Sequence, residues 1–186
     1  MKEIRIHARA GQGAITTASI LGYAYFHKGK YPYAFPHFGA ARMGAPMNAF
    51  VRIDDKPVRL RSQVNQPDYL IVVDATLMRG FDCYVGFKDN GVAVVNEREG
   101  MEIPKPKGSQ KLYIVPGNKI SMEIMGKTLL SNVVLLGAYA AATGELDLDD
   151  LAKSISERFD GKGPKVVEMN KEAIKKGFEF IKKRKS

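Results

Sequence analysis

This 186-residue chain has one cysteine, three histidines and no tryptophan. Cys83 alone permits no internal disulfide and no thiolate set for an iron–sulfur cluster or a zinc site. It reads either as a nucleophile or as a small buried hydrophobe, and His7, His27 and His37 are scattered too widely to mark a catalytic partner. No apolar run is long enough to span a bilayer, so no membrane partner is expected. Met1-Lys2-Glu3-Ile4 enters an alternating segment directly and lacks a secretory signal pattern, which makes the cytoplasm the expected location. Repeats and low-complexity tracts are also missing, and the length suits a single domain over residues 1–186 with one core.

What is present starts at the first residues. Lys2 to Ala8 alternates polar and apolar as a strand does, then meets Arg9-Ala10-Gly11-Gln12-Gly13, and from Ala14 to Ala24 small and apolar residues recur at helical spacing. Strand, glycine turn and helix together aim bare backbone N–H groups at an anion. A full dinucleotide fingerprint would carry a third glycine where Thr16 stands, and no acid ends a second strand about twenty residues on. Two readings stay open on these residues: a phosphate site, or a tight turn in which glycine only permits close packing.

The net charge of +9 calls for an anionic partner or a strongly solvated face. Seven basic side chains from Lys171 to Lys185 stand against Glu168, Glu172 and Glu179. A basic last helix complements its own dipole, and no nucleic-acid motif accompanies it, so nucleic acid is not expected as a partner.

Further along, Tyr31 to Pro46 is aromatic and rich in proline and glycine, and it reads as a long functional loop, an interface or a lid. Met47 to Ile53 and Val58 to Arg61 flank the turn Asp54-Asp55-Lys56-Pro57 and predict a β-hairpin. Asp68 to Asp74 reads as a buried parallel strand, with Asp74 either at a ligand-bearing carboxyl end or capping the next turn. Val92–Asn96 and Leu112–Val115 are two more buried strands. Helices are predicted near Ser121–Met125, over Leu130–Ala142, from Asp149, and over Lys165–Lys183. Strands alternating with helices predict an α/β fold, a three-layer Rossmann-like domain with a mixed, mostly parallel sheet and helices on both faces.

Several segments are distinctive in combination: Ile4 to Ala14 around Gly-Gln-Gly, Ala34-Phe35-Pro36-His37-Phe38-Gly39 through Gly44-Ala45-Pro46, Phe50 to Pro57, Arg59-Leu60-Arg61-Ser62-Gln63, and Pro67-Asp68-Tyr69. Together they resemble the gamma subunit of the 2-oxoacid:ferredoxin oxidoreductases, particularly the pyruvate and 2-oxoisovalerate enzymes, along essentially the whole chain. One departure is the stretch before Gly44, where Ala40-Ala41-Arg42-Met43 keeps only Arg42 of the charge usual there.

The resemblance implies a subunit of pyruvate synthase type. Its complex converts a 2-oxoacid oxidatively to an acyl-CoA and passes electrons singly to ferredoxin. Thiamine diphosphate, magnesium and iron–sulfur clusters are implied for the alpha, beta and delta partner subunits, and this chain alone would be inactive. Its own implied part is coenzyme A binding and assembly. The candidate residues are Gly11, Gln12, Gly13 and Thr16 at the turn, Arg9 and Arg42 beside it, and Asn132, which also reads as an N-cap. The alternative is a stand-alone Rossmann-type module binding a nucleotide or anion.

Overall fold

In the computed structural model, residues 1–38 and 42–185 are described. Six strands, β1 (Lys2–Arg9), β2 (Tyr31–Phe38), β3 (Pro46–Asp54), β4 (Tyr69–Val72), β5 (Val92–Asn96) and β6 (Lys111–Val115), form one sheet ordered β2-β3-β1-β4-β5-β6. The pairs β1–β4, β4–β5 and β5–β6 are parallel, and β1–β3 and β2–β3 are antiparallel. The expected mixed, mostly parallel α/β sheet is therefore what the chain forms.

The α-helices are α1 (Ala14–His27), α2 (Gly117–Met125), α3 (Ser131–Thr143), α4 (Leu148–Arg158) and α5 (Pro164–Lys185). Alternation in the strands divides the core. Ile4, Ile6, Ile71, Val94 and Val115 point to a large cluster with α1, α3, α4 and α5. Val72 and Val95 point the other way, to Ala75, Leu77, Cys83 and Ile103. That second face is covered by a 3-10 turn, Ala75–Arg79, and by loops rather than by α-helices. The third layer is thus less helical than the expectation of helices on both faces, because the β4–β5 and β5–β6 connections carry no α-helix. The helical layer comes instead from α1 and from the helices after β6. In its centre α3 is buried from Ser131 to Ala142, which is why its sequence is apolar on every side. No described helix is long and apolar enough to cross a membrane.

Two expectations fail. Residues 31–38 are not loop but the edge strand β2, paired along its length with β3. Pro32 and Pro36 disguise it. Neither can donate to β3, so both occupy positions whose N–H would face outward, which at an edge blocks pairing with another chain. The predicted hairpin is absent because β2 and β1 already occupy both sides of β3. The segment after the turn is irregular. Arg52, 1% exposed, pairs with Glu3 at 2.8 Å and donates to the carbonyls of Ser62 at 2.6 Å and Gln63 at 3.1 Å, tying that segment down.

On the same face Arg5 donates to the carbonyls of Cys83 (3.1 Å) and Val85 (2.6 Å), and its Nε donates to His7 Nε2 at 3.1 Å. Burial, then the Arg5 charge, pushes the His7 pKa from 6.5 to about 3. His7 is thus neutral when folded, whereas the unfolded chain takes up a proton below about 6.5. Between about pH 6.5 and 3 this residue makes stability fall as pH falls, by up to about 1.4 kcal/mol per pH unit. Urea unfolding across that range is expected to show this slope in the wild type and to lose it in His7→Gln.

Candidate functional site

β1 ends at Arg9 and the chain turns through Gly11 (φ +97°) and Gly13 (φ +80°) into α1. Both glycines are in the left-handed region, which side chains disfavour. At Gly13 there is also no room for one, since a Cβ would lie 2.6 Å from Nδ2 of the buried Asn132, whereas a Cβ on Gly11 would meet only the sulfur of the exposed, movable Met43 side chain at 2.6 Å. Asn132 is therefore not an N-cap. Its Nδ2 donates across to Thr17 Oγ1 at 3.1 Å and to the Gly13 carbonyl at 3.4 Å, locking the start of α3 onto the turn. Gly13 is the N-cap of α1, which has no side-chain cap and no acid in its first turn.

The turn forms one wall of a cleft of about 500 Å³. It lies beyond the carboxyl ends of β1, β4, β5 and β6, where the chain switches from building one side of the sheet to the other. Clefts of about 500 and 680 Å³ on the opposite face show that size does not single this one out. The helix termini do. The starts of α1, α2, α3 and α5 all contribute lining residues, and none has an acid in its first turn. α1, α2 and α3 also lack side-chain caps, whereas α4, which meets the cleft only through its C-cap Phe159, carries a full capping box from Asp147 and Asp150 at its other end. The first turns of α1 and α2 thus carry no side-chain cap or acid to offset the partial positive charge of the helix start, whereas α3 continues from a 3-10 turn, Thr128–Leu130, whose Thr128 carbonyl accepts from the Ser131 N–H.

Of the sequence candidates, Gly11, Gln12, Gly13, Thr16 and Asn132 come together on this cleft. Arg9 and Arg42 do not line it. Arg42 is exposed; Ala40 and Ala41 of the departure from the family pattern, and Gly39 before them, lie outside the described residues. Arg9 pairs through Nε with Asp74 Oδ2 at 3.2 Å and donates from Nη2 to Thr76 Oγ1 at 3.0 Å.

Asp74 caps its own 3-10 turn, accepting from Thr76 N at 3.0 Å. The capping reading therefore holds, and the side chain also lines the cleft. Burial alone would raise its pKa, but hydrogen bonds from Thr76 and Gln12 and the Arg9 charge outweigh that and hold it below the usual carboxylate value.

The sequence reading missed Asn96, Asn118 and Ser131, which build the far wall. Asn96 Nδ2 donates to the Val73 carbonyl and to Asn118 Oδ1, both at 3.0 Å, and Ser131 Oγ donates to Asn118 Oδ1 at 2.7 Å. The signal was available for Asn96, since it ends a buried strand, as Asp74 follows one. Cys83 is buried and its thiol is pushed up to about 11 by that burial, which favours the small-hydrophobe reading over a nucleophile. Among the described residues no three His, Cys, Asp or Glu side chains cluster as metal ligands would.

A mixed, mostly parallel six-stranded sheet with a cleft at its strand carboxyl ends defines a Rossmann-like α/β class of domain. The sequence matches the pyruvate ferredoxin/flavodoxin oxidoreductase family over residues 3–180. It is 45% identical over 183 residues to pyruvate synthase subunit PorC of Methanothermobacter thermautotrophicus, covering 98% of this chain and 97% of that one. The crystal structure of pyruvate oxidoreductase subunit PORC from Thermotoga maritima superposes with a TM-score of 0.80 at 34% identity, covering 96% and 95% of the two chains. A 2-oxoglutarate:ferredoxin oxidoreductase from Magnetococcus marinus, solved with 2-oxoglutarate, coenzyme A and succinyl-CoA bound, shares the fold. That match has a TM-score of 0.81 at 22% identity and covers 98% of this chain and 31% of the larger one. The chain belongs to the pyruvate ferredoxin/flavodoxin oxidoreductase family and is a subunit of its PorC, or gamma, type in a multi-subunit 2-oxoacid:ferredoxin oxidoreductase.

Proposed function

We propose that this chain holds the phosphate-bearing end of coenzyme A for its complex, in the cleft at Gly11–Gly13. The observation that carries the reading is the convergence of four helix starts free of acidic first-turn residues, three of them uncapped, on one cleft. An anion with several phosphates is the ligand such a surface stabilises best. Gly11, Gly13 and Thr16 present the α1 terminus, and Asn132 backs it. Gln12 lines the cleft beside them, Arg9 supports the turn from outside it, and Arg42, exposed on the segment after β2, is the charge nearest in sequence to Met43 over Gly11. The coenzyme A bound in the Magnetococcus marinus enzyme supports the choice of ligand.

The complex would convert a 2-oxoacid, coenzyme A and two oxidised ferredoxins to acyl-CoA, carbon dioxide, a proton and two reduced ferredoxins. Thiamine diphosphate and magnesium would stabilise the carbanion, and iron–sulfur clusters would carry the electrons, all in alpha, beta and delta subunits. One buried cysteine with a raised pKa agrees with that division, since it offers no thiolates for a cluster. The chain would act as one domain over residues 1–186, in the cytoplasm. Similarity along the whole chain to PorC and gamma subunits favours a chain that works inside an assembly over a stand-alone module.

Amide hydrogen exchange on the assembled complex tests the site. Addition of coenzyme A is expected to protect residues 11–16 and 128–133 of this chain, and protection confined to other subunits would refute the assignment.

A further inference from the structure

The two oxygens of Asp74 do different work. Oδ1 holds the end of its own strand, accepting from Thr76 N at 3.0 Å and Thr76 Oγ1 at 2.6 Å. Oδ2 is spent on the glycine turn, accepting from Gln12 Nε2 at 2.8 Å and pairing with Arg9 Nε at 3.2 Å. Gln12 closes the loop: its Oε1 accepts from the Arg9 backbone N–H at 2.8 Å, and its own N–H donates to the Arg9 carbonyl at 3.0 Å. Arg9 Nη1 also donates to the Gly44 carbonyl at 3.3 Å, which ties the segment over Gly11 into the same network.

A carboxylate beside an anion site repels the ligand unless it does something that outweighs the repulsion. Here its charge is countered by Arg9, and its hydrogen bonds fix the side chain in the middle of the turn. Resting on the coenzyme A reading above, we infer that Asp74 is the positioning residue of the site. It sets the Gly11-Gln12-Gly13 turn in its binding geometry through Gln12, which lines the cleft, and Arg9, which does not.

Asp74→Asn isolates this role. Asparagine keeps an oxygen for Thr76, so the strand-end cap survives, but it turns an amide N–H₂ toward the donors of Gln12 and Arg9. In the assembled enzyme the KM for coenzyme A is expected to rise about tenfold, the size of one lost charge-assisted hydrogen bond, with a much smaller change in kcat. Amide exchange at residues 10–13 of the ligand-free complex is expected to speed up. Gln12→Glu combined with Asp74→Asn restores the contact with donor and acceptor reversed and the same net charge, and should bring both readouts back toward wild type.

A KM that is unchanged or lower in Asp74→Asn overturns the inference, the lower value marking Asp74 as a plain repulsive charge. Failure of the double variant to recover either readout also overturns it. Should Asp74→Asn not assemble, Thr76→Val, which removes the hydroxyl that donates to Asp74 and accepts from Arg9, is expected to raise the KM about threefold, and no rise overturns the inference. Gly13→Asp run alongside separates the two levels. If it leaves the KM unchanged, the coenzyme A reading itself falls. If it raises the KM while Asp74→Asn does not, only the role of Asp74 falls.

Discussion

Gly177→Val is expected to destabilise the chain by about 4 kcal/mol or more and to lower Tm by about 8–16 °C. Gly177 is on α5 where that helix crosses α3, and a Cβ there would lie 2.0 Å from the Val134 carbonyl oxygen. The contact is reciprocal, since a Cβ on Gly137 of α3 would lie 1.8 Å from the Ile174 carbonyl oxygen. Backbone meets backbone at both points, so no side chain can swing aside, and a branched residue must push the helices apart. Glycine inside a helix costs about 1 kcal/mol relative to alanine, and the close approach of a fully buried α3 offsets it.

The control is Gly22→Ala in α1, where the new Cβ meets only the Ala34 Cβ at an ordinary 3.7 Å. That substitution is expected to be neutral or to stabilise by about 0.5–1 kcal/mol. Thermal unfolding of the three proteins checks the pair, and a Gly177→Val chain that melts with the wild type would refute the packing account.

Gly13→Asp in the assembled complex is expected to raise the KM for coenzyme A about 100-fold, equivalent to about 2.7 kcal/mol. Aspartate is usually a favourable N-cap, so the loss would not come from a poor helix start. It comes from two other sources. At φ +80° a side chain is strained and its Cβ would meet Asn132 Nδ2 at 2.6 Å. A carboxylate on the α1 terminus would also satisfy and neutralise the partial charge that the phosphates are proposed to use. Gly13→Asn has the same shape, tolerates the left-handed region and carries no charge, so the difference between the two variants measures the electrostatic part. Steady-state kinetics with varied coenzyme A reads both, and a change below about threefold in Gly13→Asp would place the site elsewhere.

Much of the frame was legible because local signals and tertiary packing agree. β1, β5 and β6 are short apolar or alternating runs bounded by turn residues. α3 is apolar on every side because every side is covered. β2 was not legible, since proline argues against a strand except at an edge, and being an edge is a property of the whole sheet. The hairpin after Asp54 was misread for the same reason: the segment with Val58 and Leu60 alternates well enough, but the flank of β3 belongs to β2.

In the site, Gly11 and Gly13 stood out because only glycine suits that turn. The partners of Arg9 and Gln12 did not, because Asp74 is far along the chain and reaches them only through the β1–β4 pairing. Sequence by itself bounded the chemistry: a single cysteine cannot hold an iron–sulfur cluster, and a glycine turn between strand and helix is open to an anion or to close packing alone. Tertiary structure alone decided which helix starts share one cleft and which charged side chains are already spent on each other. Those depend on distances between residues remote in sequence, and such distances exist only once the sheet has closed and α3 has packed beneath it.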